Sequence, residues 1–205
     1  AGATDIGILA FFKIAGAATG SLLLPLGLSF YTFKLVSYQA DVFCGRIEAE
    51  TSFWKLGSYI CMFPQITSGP IMRYEDALEG LAGERIRPER FEEGLRLLIL
   101  GLAAKVLLAD RLGILWNDIQ TIGFESISTP LAWLGAFAYS LRLYFDFEGY
   151  SLMAAGIGVM LGFPYIRNFN QPYSAVSVSD FWRRWHITLG SWFRDYVYIP
   201  LGGNR

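Results

Sequence analysis

The only histidine of this 205-residue chain, His186, stands in the closing stretch DFWRRWHITLGSWFRDYVYIPLGGNR, Asp180 to Arg205. Three of the six tryptophans (Trp182, Trp185 and Trp192) flank it, together with Arg183, Arg184 and Arg194. A neutral imidazole has an unperturbed pKa of about 6.5 and can take a proton from a hydroxyl near neutral pH. Adjacent arginines disfavour the protonated ring and attract an anionic donor or substrate. No serine or cysteine beside His186 reads as a nucleophile. Direct transfer of a group between two bound substrates therefore fits these residues better than a covalent enzyme intermediate.

A plainer reading competes with this chemistry. Trp182, Trp185, Leu189, Trp192 and Phe193 fall at i, i+3, i+7, i+10 and i+11, one apolar stripe of a helix. Such a helix can lie in a membrane interface, tryptophans at headgroup depth and arginines on phosphates. Periodicity alone leaves both readings open. Ser177, three positions before Asp180, reads as the cap from which this helix starts.

The elements that must position the tail are apolar and repeatedly interrupted. Hydrophobic residues make up 53% of the chain and charged ones 17%, a balance that leans toward the membrane class. Ile14 to Phe33 is an uncharged run long enough to cross a bilayer, with Pro25 as a kink. Leu56 to Met72 is a second run, broken by Pro64 and Gly69-Pro70, and is expected to be re-entrant with protein covering its irregular backbone. Further runs are Leu97–Trp116, Thr129–Phe145 and Gly149–Ile166. Lys105 inside the third must find a partner or snorkel. At the end of the fourth, Arg142 and Asp146 are spaced to pair on one helical face, near Tyr150. The interlude from Arg73 to Arg96 carries five arginines among acidic residues, which favours the cytoplasm. Counting spans from it places the arginine-rich tail outside, against the same charge rule, unless the tail folds back into the protein. The expected fold class is all-α, a polytopic membrane protein with kinked and re-entrant helices forming a single transmembrane domain over 1–205, cut at both ends.

Several function classes lose ground. Net charge is −1, so no broad basic face for nucleic acid is indicated. Two cysteines, Cys44 and Cys61, and one histidine cannot assemble a conventional zinc site, and each cysteine is expected to be buried. No phosphate-binding loop, nucleophile elbow or dinucleotide fingerprint occurs. A transporter or channel, or a non-catalytic assembly subunit, remains open, since broken helices and charges at membrane depth suit transport as well as catalysis.

Four segments carry a family resemblance: PLGLSFYTFKLVSYQADVFCG, FPQITSGPIMRY, YFDFEGYSLMAAGIGVMLGF and NFNQPYSAVSVSDFWRRWHITLGSWFRDYVYIPLGGNR. In this order they resemble membrane-bound O-acyltransferases, most of all the bacterial branch that O-acetylates alginate and other exported polysaccharides. Teichoic acid D-alanylation proteins match less well at Arg183 and at Tyr198 to Arg205. Where that family usually has a serine this chain has Glu148, and where it has an aspartate, Leu152. The resemblance implies a multi-pass protein of the cytoplasmic (inner) membrane. It implies acyl transfer from a thioester co-substrate, acetyl-CoA or an acylated carrier, to a hydroxyl of an exported polymer. No bound cofactor is implied, and a periplasmic or extracellular partner protein can deliver the acceptor. His186 matches the family's histidine in the W-R-R-W-H pattern; a second important histidine of the family is expected beyond Arg205. By the same carry-over Arg183, Arg184 and Arg194 organise the chamber or hold donor phosphates. Trp182, Trp185 and Asp195 join the substrate- or donor-binding set. Asp146 fixes the helix carrying Tyr150, and Asn168 and Asn170 hold irregular backbone.

Overall fold

A computed structural model describes residues 2–19, 27–66, 69–83, 87–123 and 125–203, and every regular element among them is helical. The order is α1 (Gly2–Thr19), α2 (Leu28–Phe43), α3 (Phe53–Ile60), α4 (Tyr74–Leu81), α5 (Pro88–Ala103), α6 (Asp110–Ile122), α7 (Thr129–Met160), α8 (Val178–Arg184) and α9 (Ile187–Phe193). A π-helical stretch, Ala104–Ala109, joins α5 to α6, and another, Arg194–Tyr198, continues α9. The kink expected at Pro25 lies outside the described residues. Among those residues, no helix is long and apolar enough to cross a membrane.

The fourth apolar run and the fifth as far as Met160 are one helix. α7 spans 32 residues, about 48 Å at 1.5 Å per residue, and YFDFEGY lies within it. Glycines of this helix form its contact surface. A Cβ on Gly101 of α5 would sit 2.5 Å from the Gly149 carbonyl oxygen of α7, and one on Gly94 the same distance from that of Gly156. Only hydrogen fits there, so α5 and α7 pack backbone to backbone and antiparallel along two glycine pairs seven residues apart.

Asp146 does not pair with Arg142. It bonds Lys105 of the π-helical stretch at 2.8 Å, and Lys105 also holds Asp110 at 2.7 Å. The lysine of the third run thus has its partner, supplied by a helix that sequence spacing could not reach.

The second run is broken as expected. α3 ends at Ile60, one 3₁₀ turn covers Phe63–Gln65, and Pro70, Ile71 and Met72 are buried. Protein satisfies the irregular backbone: the Tyr59 hydroxyl donates to the Met72 carbonyl at 3.0 Å, and the Ile71 N–H donates to Thr188 Oγ1 at 3.1 Å. Tyr38, Tyr59, Met62, Met72, Tyr74 and Ala77 form a core between α2, α3 and α4. The cysteines depart from expectation, since both Cys44 and Cys61 are free and exposed.

The tail folds back onto this core. Trp192 Nε1 donates to the Phe33 carbonyl at 3.0 Å, and the Tyr196 hydroxyl donates to Asp41 at 2.6 Å. Arg73 pairs with Asp195 across the same seam.

Candidate active site

The tail begins where its cap predicts: Ser177 Oγ accepts from the Asp180 N–H at 3.1 Å, and α8 starts at Val178. It does not continue as one helix. Trp185 is extended (φ −97°, ψ 126°), and His186 takes the left-handed conformation (φ 43°, ψ 55°) before α9 begins at Ile187. The stripe from Trp182 to Phe193 is therefore split between two seven-residue helices. A left-handed non-glycine residue costs on the order of 1–3 kcal/mol and persists where its surroundings over-determine it.

What over-determines it is the strap that follows α7. The Asn170 N–H donates to the Arg184 carbonyl at 2.9 Å, and the Ile187 N–H donates to the Asn168 carbonyl at 2.8 Å. These two bonds bracket Trp185 and His186 and leave them outside both helices. The side chain of Asn168, which is 3% exposed, completes the clamp. Its Oδ1 lies 3.0 Å from His186 Nδ1, 2.8 Å from Thr188 Oγ1 and 3.3 Å from the Thr188 nitrogen.

Aromatic rings wall the imidazole. Phe147 of α7 meets it edge to face with centroids 4.9 Å apart, and Phe169 stacks beside it at 6.5 Å. Trp185 packs on Phe169 at 5.1 Å and on Phe181 at 5.6 Å, and Tyr144 borders the same cluster. Burial in these surroundings pushes the His186 pKa from 6.5 down to about 4. The ring is a neutral base at physiological pH, and burial, not the neighbouring arginines, makes it so.

The remaining predicted residues divide into two groups. Trp182, Arg183, Ile187, Gly190, Ser191 and Arg194, from both sides of the break, line a cavity of about 430 Å³ whose lining does not include His186. Arg183 forms no ion pair among the described residues, whereas Arg194 is bonded to Asp195 at 2.7 Å. Asp195, gripped by Arg194 and Arg73, is held below the usual carboxylate range and serves as the seam of the tail. Arg184 turns away from the cavity to Asp180 (3.0 Å) and Ser174 (3.3 Å), so its role is to brace α8. Asn170 contributes its backbone, and its side chain faces Arg167 rather than the ring. Asp146 is occupied by Lys105, and Tyr150 is half-buried on α7. Sequence reasoning ranked Asn168 with Asn170 as a backbone support and passed over Thr188, Phe147 and Phe169. The one available signal was the N-F-N triplet, polar amides around an aromatic in an irregular segment.

Comparison with known proteins matches most of the chain. The family model described as "MBOAT, membrane-bound O-acyltransferase family" matches residues 46–205. "Probable alginate O-acetylase AlgI" of Pseudomonas aeruginosa is 40% identical over 98% of this chain and 42% of that protein. "Peptidoglycan O-acetyltransferase" of Helicobacter pylori is 34% identical over 90% of the chain and 40% of its own length. "Teichoic acid D-alanyltransferase" of Bacillus subtilis is 30% identical over 85% and 45%. The chain spans less than half the length of these relatives.

Proposed function

This chain belongs to the membrane-bound O-acyltransferase family, and from that premise we propose that it is the core of a multi-pass inner-membrane enzyme. The enzyme moves an acyl group, an acetyl group first of all, from a thioester donor to a hydroxyl of an exported polysaccharide or another cell-envelope polymer. The observation that carries this reading is the state of His186: a half-buried, neutral imidazole set in strained backbone at a helix break, next in the chain to Ile187, which lines an arginine-bearing cavity. Strain and a displaced pKa meeting at one residue support a functional rather than a purely structural role.

In the proposed reaction the acceptor hydroxyl oxygen attacks the thioester carbonyl while His186 takes its proton. The carbon–sulfur bond breaks, the ester forms, and the imidazolium returns the proton to the departing thiolate. A cationic imidazolium in this partly desolvated site is costly, which favours prompt return of that proton. Arg183 and Arg194 place positive charge on the cavity that would receive the phosphates of acetyl-CoA or a phosphopantetheine carrier. Large exposed apolar side chains on α5 and α7 and between them, among them Ile99, Leu102, Leu107, Trp133 and Phe137, support contact with the bilayer. The acceptor would reach the site from the outer side, delivered by a periplasmic or extracellular partner.

The test is replacement of His186 by alanine in the complete gene product, followed by measurement of O-acetyl groups on the exported polymer. Loss of transfer at normal protein level supports the assignment. Unchanged acetylation overturns it.

A further inference from the structure

Three donors or potential donors converge on one oxygen atom, Asn168 Oδ1: the Thr188 N–H, Thr188 Oγ1 and His186 Nδ1. The amide orientation follows from the first. A backbone N–H can only donate, so the atom facing it is the oxygen and not the NH₂. The hydroxyl of Thr188 is also spoken for, because its oxygen accepts from the Ile71 N–H at 3.1 Å and its hydrogen is free to point to Asn168. An oxygen that accepts from its other neighbours leaves the imidazole one way to bond it: Nδ1 must carry the hydrogen. The lone pair then sits on Nε2, on the far side of the ring.

We infer that Asn168 is a positioning residue: its side-chain oxygen fixes the His186 tautomer that places the basic lone pair on Nε2. This rests on the proposed role of His186 as base and deepens it. The arrangement does not serve the amide itself. Asn168 Nδ2 is buried with no hydrogen-bond partner among the described residues, an arrangement that is unfavourable for the amide. What it secures is a neutral acceptor. An aspartate could accept the same three bonds, but its charge next to Nδ1 would favour the protonated ring and raise the pH below which the ring is already occupied by a proton. An asparagine orients the imidazole without charging it.

The charged groups around the ring leave that choice to Asn168. Asp146 on α7 is tied to Lys105, Arg184 on α8 to Asp180, and Arg73 and Arg194 to Asp195. Arg183 faces the cavity, Arg167 on the strap turns to Asn170, and Glu148 lines a small pocket behind Asn168.

The experiment uses the complete gene product, with acyl transfer measured against pH for wild type, His186→Ala, Asn168→Ala and Asn168→Asp. Asn168→Ala is expected to lower kcat at least 10-fold while KM for either substrate changes less than 3-fold. Asn168→Asp is expected to keep kcat within 10-fold of wild type at alkaline pH and to move the acid limb of the profile upward by about one pH unit or more. Wild-type kcat in Asn168→Ala, or an acid limb unmoved in Asn168→Asp, overturns the inference. If Asn168→Ala does not accumulate, the aspartate variant decides alone, since it keeps the shape and the acceptor. An inactive His186→Ala beside a wild-type Asn168→Ala rejects only the positioning role. An active His186→Ala rejects the base itself.

Discussion

Ile71 and Thr188 are 117 positions apart in the chain, and a 3.1 Å hydrogen bond from the Ile71 N–H to Thr188 Oγ1 joins them. It ties the broken segment after α3 to the first turn of α9, and Thr188 hands the connection on to Asn168 and so to His186. The strained residue is thereby held by two distant parts of the chain at once.

Thr188→Val keeps the shape of the side chain and removes the hydroxyl. The buried Ile71 N–H is then left without its acceptor, at a cost of about 1–3 kcal/mol. The variant should melt at lower temperature and transfer acyl groups more slowly, and Thr188→Ser should recover both. A valine variant with wild-type melting would show that the link carries no stability.

The α5–α7 contact makes opposite predictions for two glycines. Gly101→Ala drives a methyl group into the Gly149 carbonyl, and overpacking of this kind costs about 1–3 kcal/mol. Gly57, inside α3, has nothing within 4 Å of an added Cβ, so Gly57→Ala should stabilise by about 0.4–1 kcal/mol. Thermal unfolding of both variants checks the pair, and equal effects would contradict the packing.

His186 also sets a pH dependence of stability. Its pKa is about 4 in the fold, against 6.5 as the ordinary value, so the unfolded chain binds more protons between these limits. Stability from this group is complete above about pH 6.5 and is lost as pH falls toward 4. His186→Gln should remove that component: the gap between its melting temperature and that of wild type should change over this window and stay constant above it. A constant gap throughout would show that the ring is not held neutral by burial.

Arg183 is the clean probe of the donor cavity, because Arg194 is committed to Asp195. Arg183→Ala should raise KM for an anionic thioester donor about 10-fold, the scale of one hydrogen bond to a charged group. Protein stability should not change, since the side chain is exposed. An unaltered KM would remove the cavity from donor binding.

Local patterns were legible to the extent that local physics decides them. The Ser177 cap, the helical period of the runs and the break at Pro64 and Gly69-Pro70 each depend on neighbours within a turn or two, and each is found in the fold. The fourth and fifth runs read as separate because Asp146 and Glu148 interrupt the apolar pattern between them, whereas the backbone is continuous there and Gly149 packs on Gly101 across the interface. For Asp146 an arginine, Arg142 first, was the expected partner, and the structure supplies Lys105 instead. Spacing along one helix is visible in a sequence, whereas Lys105 lies on another helix.

By itself the sequence determined the inventory of the site: one histidine, the tryptophans and arginines around it, and motifs that resemble a single family. An amphipathic stripe from Trp182 to Phe193 remained compatible with a continuous interfacial helix, because a 3.6-residue period cannot record where the backbone is forced out of it. Tertiary structure made that decision. Two backbone bonds from the strap hold Trp185 and His186 outside both helices, Phe147 and Phe169 desolvate the ring, and the buried oxygen of Asn168 sits where Nδ1 must meet it. Hydrogen-bond direction and burial arise only when segments from different parts of the chain meet. The chemistry was therefore visible as a residue type long before it was defined as a protonation state.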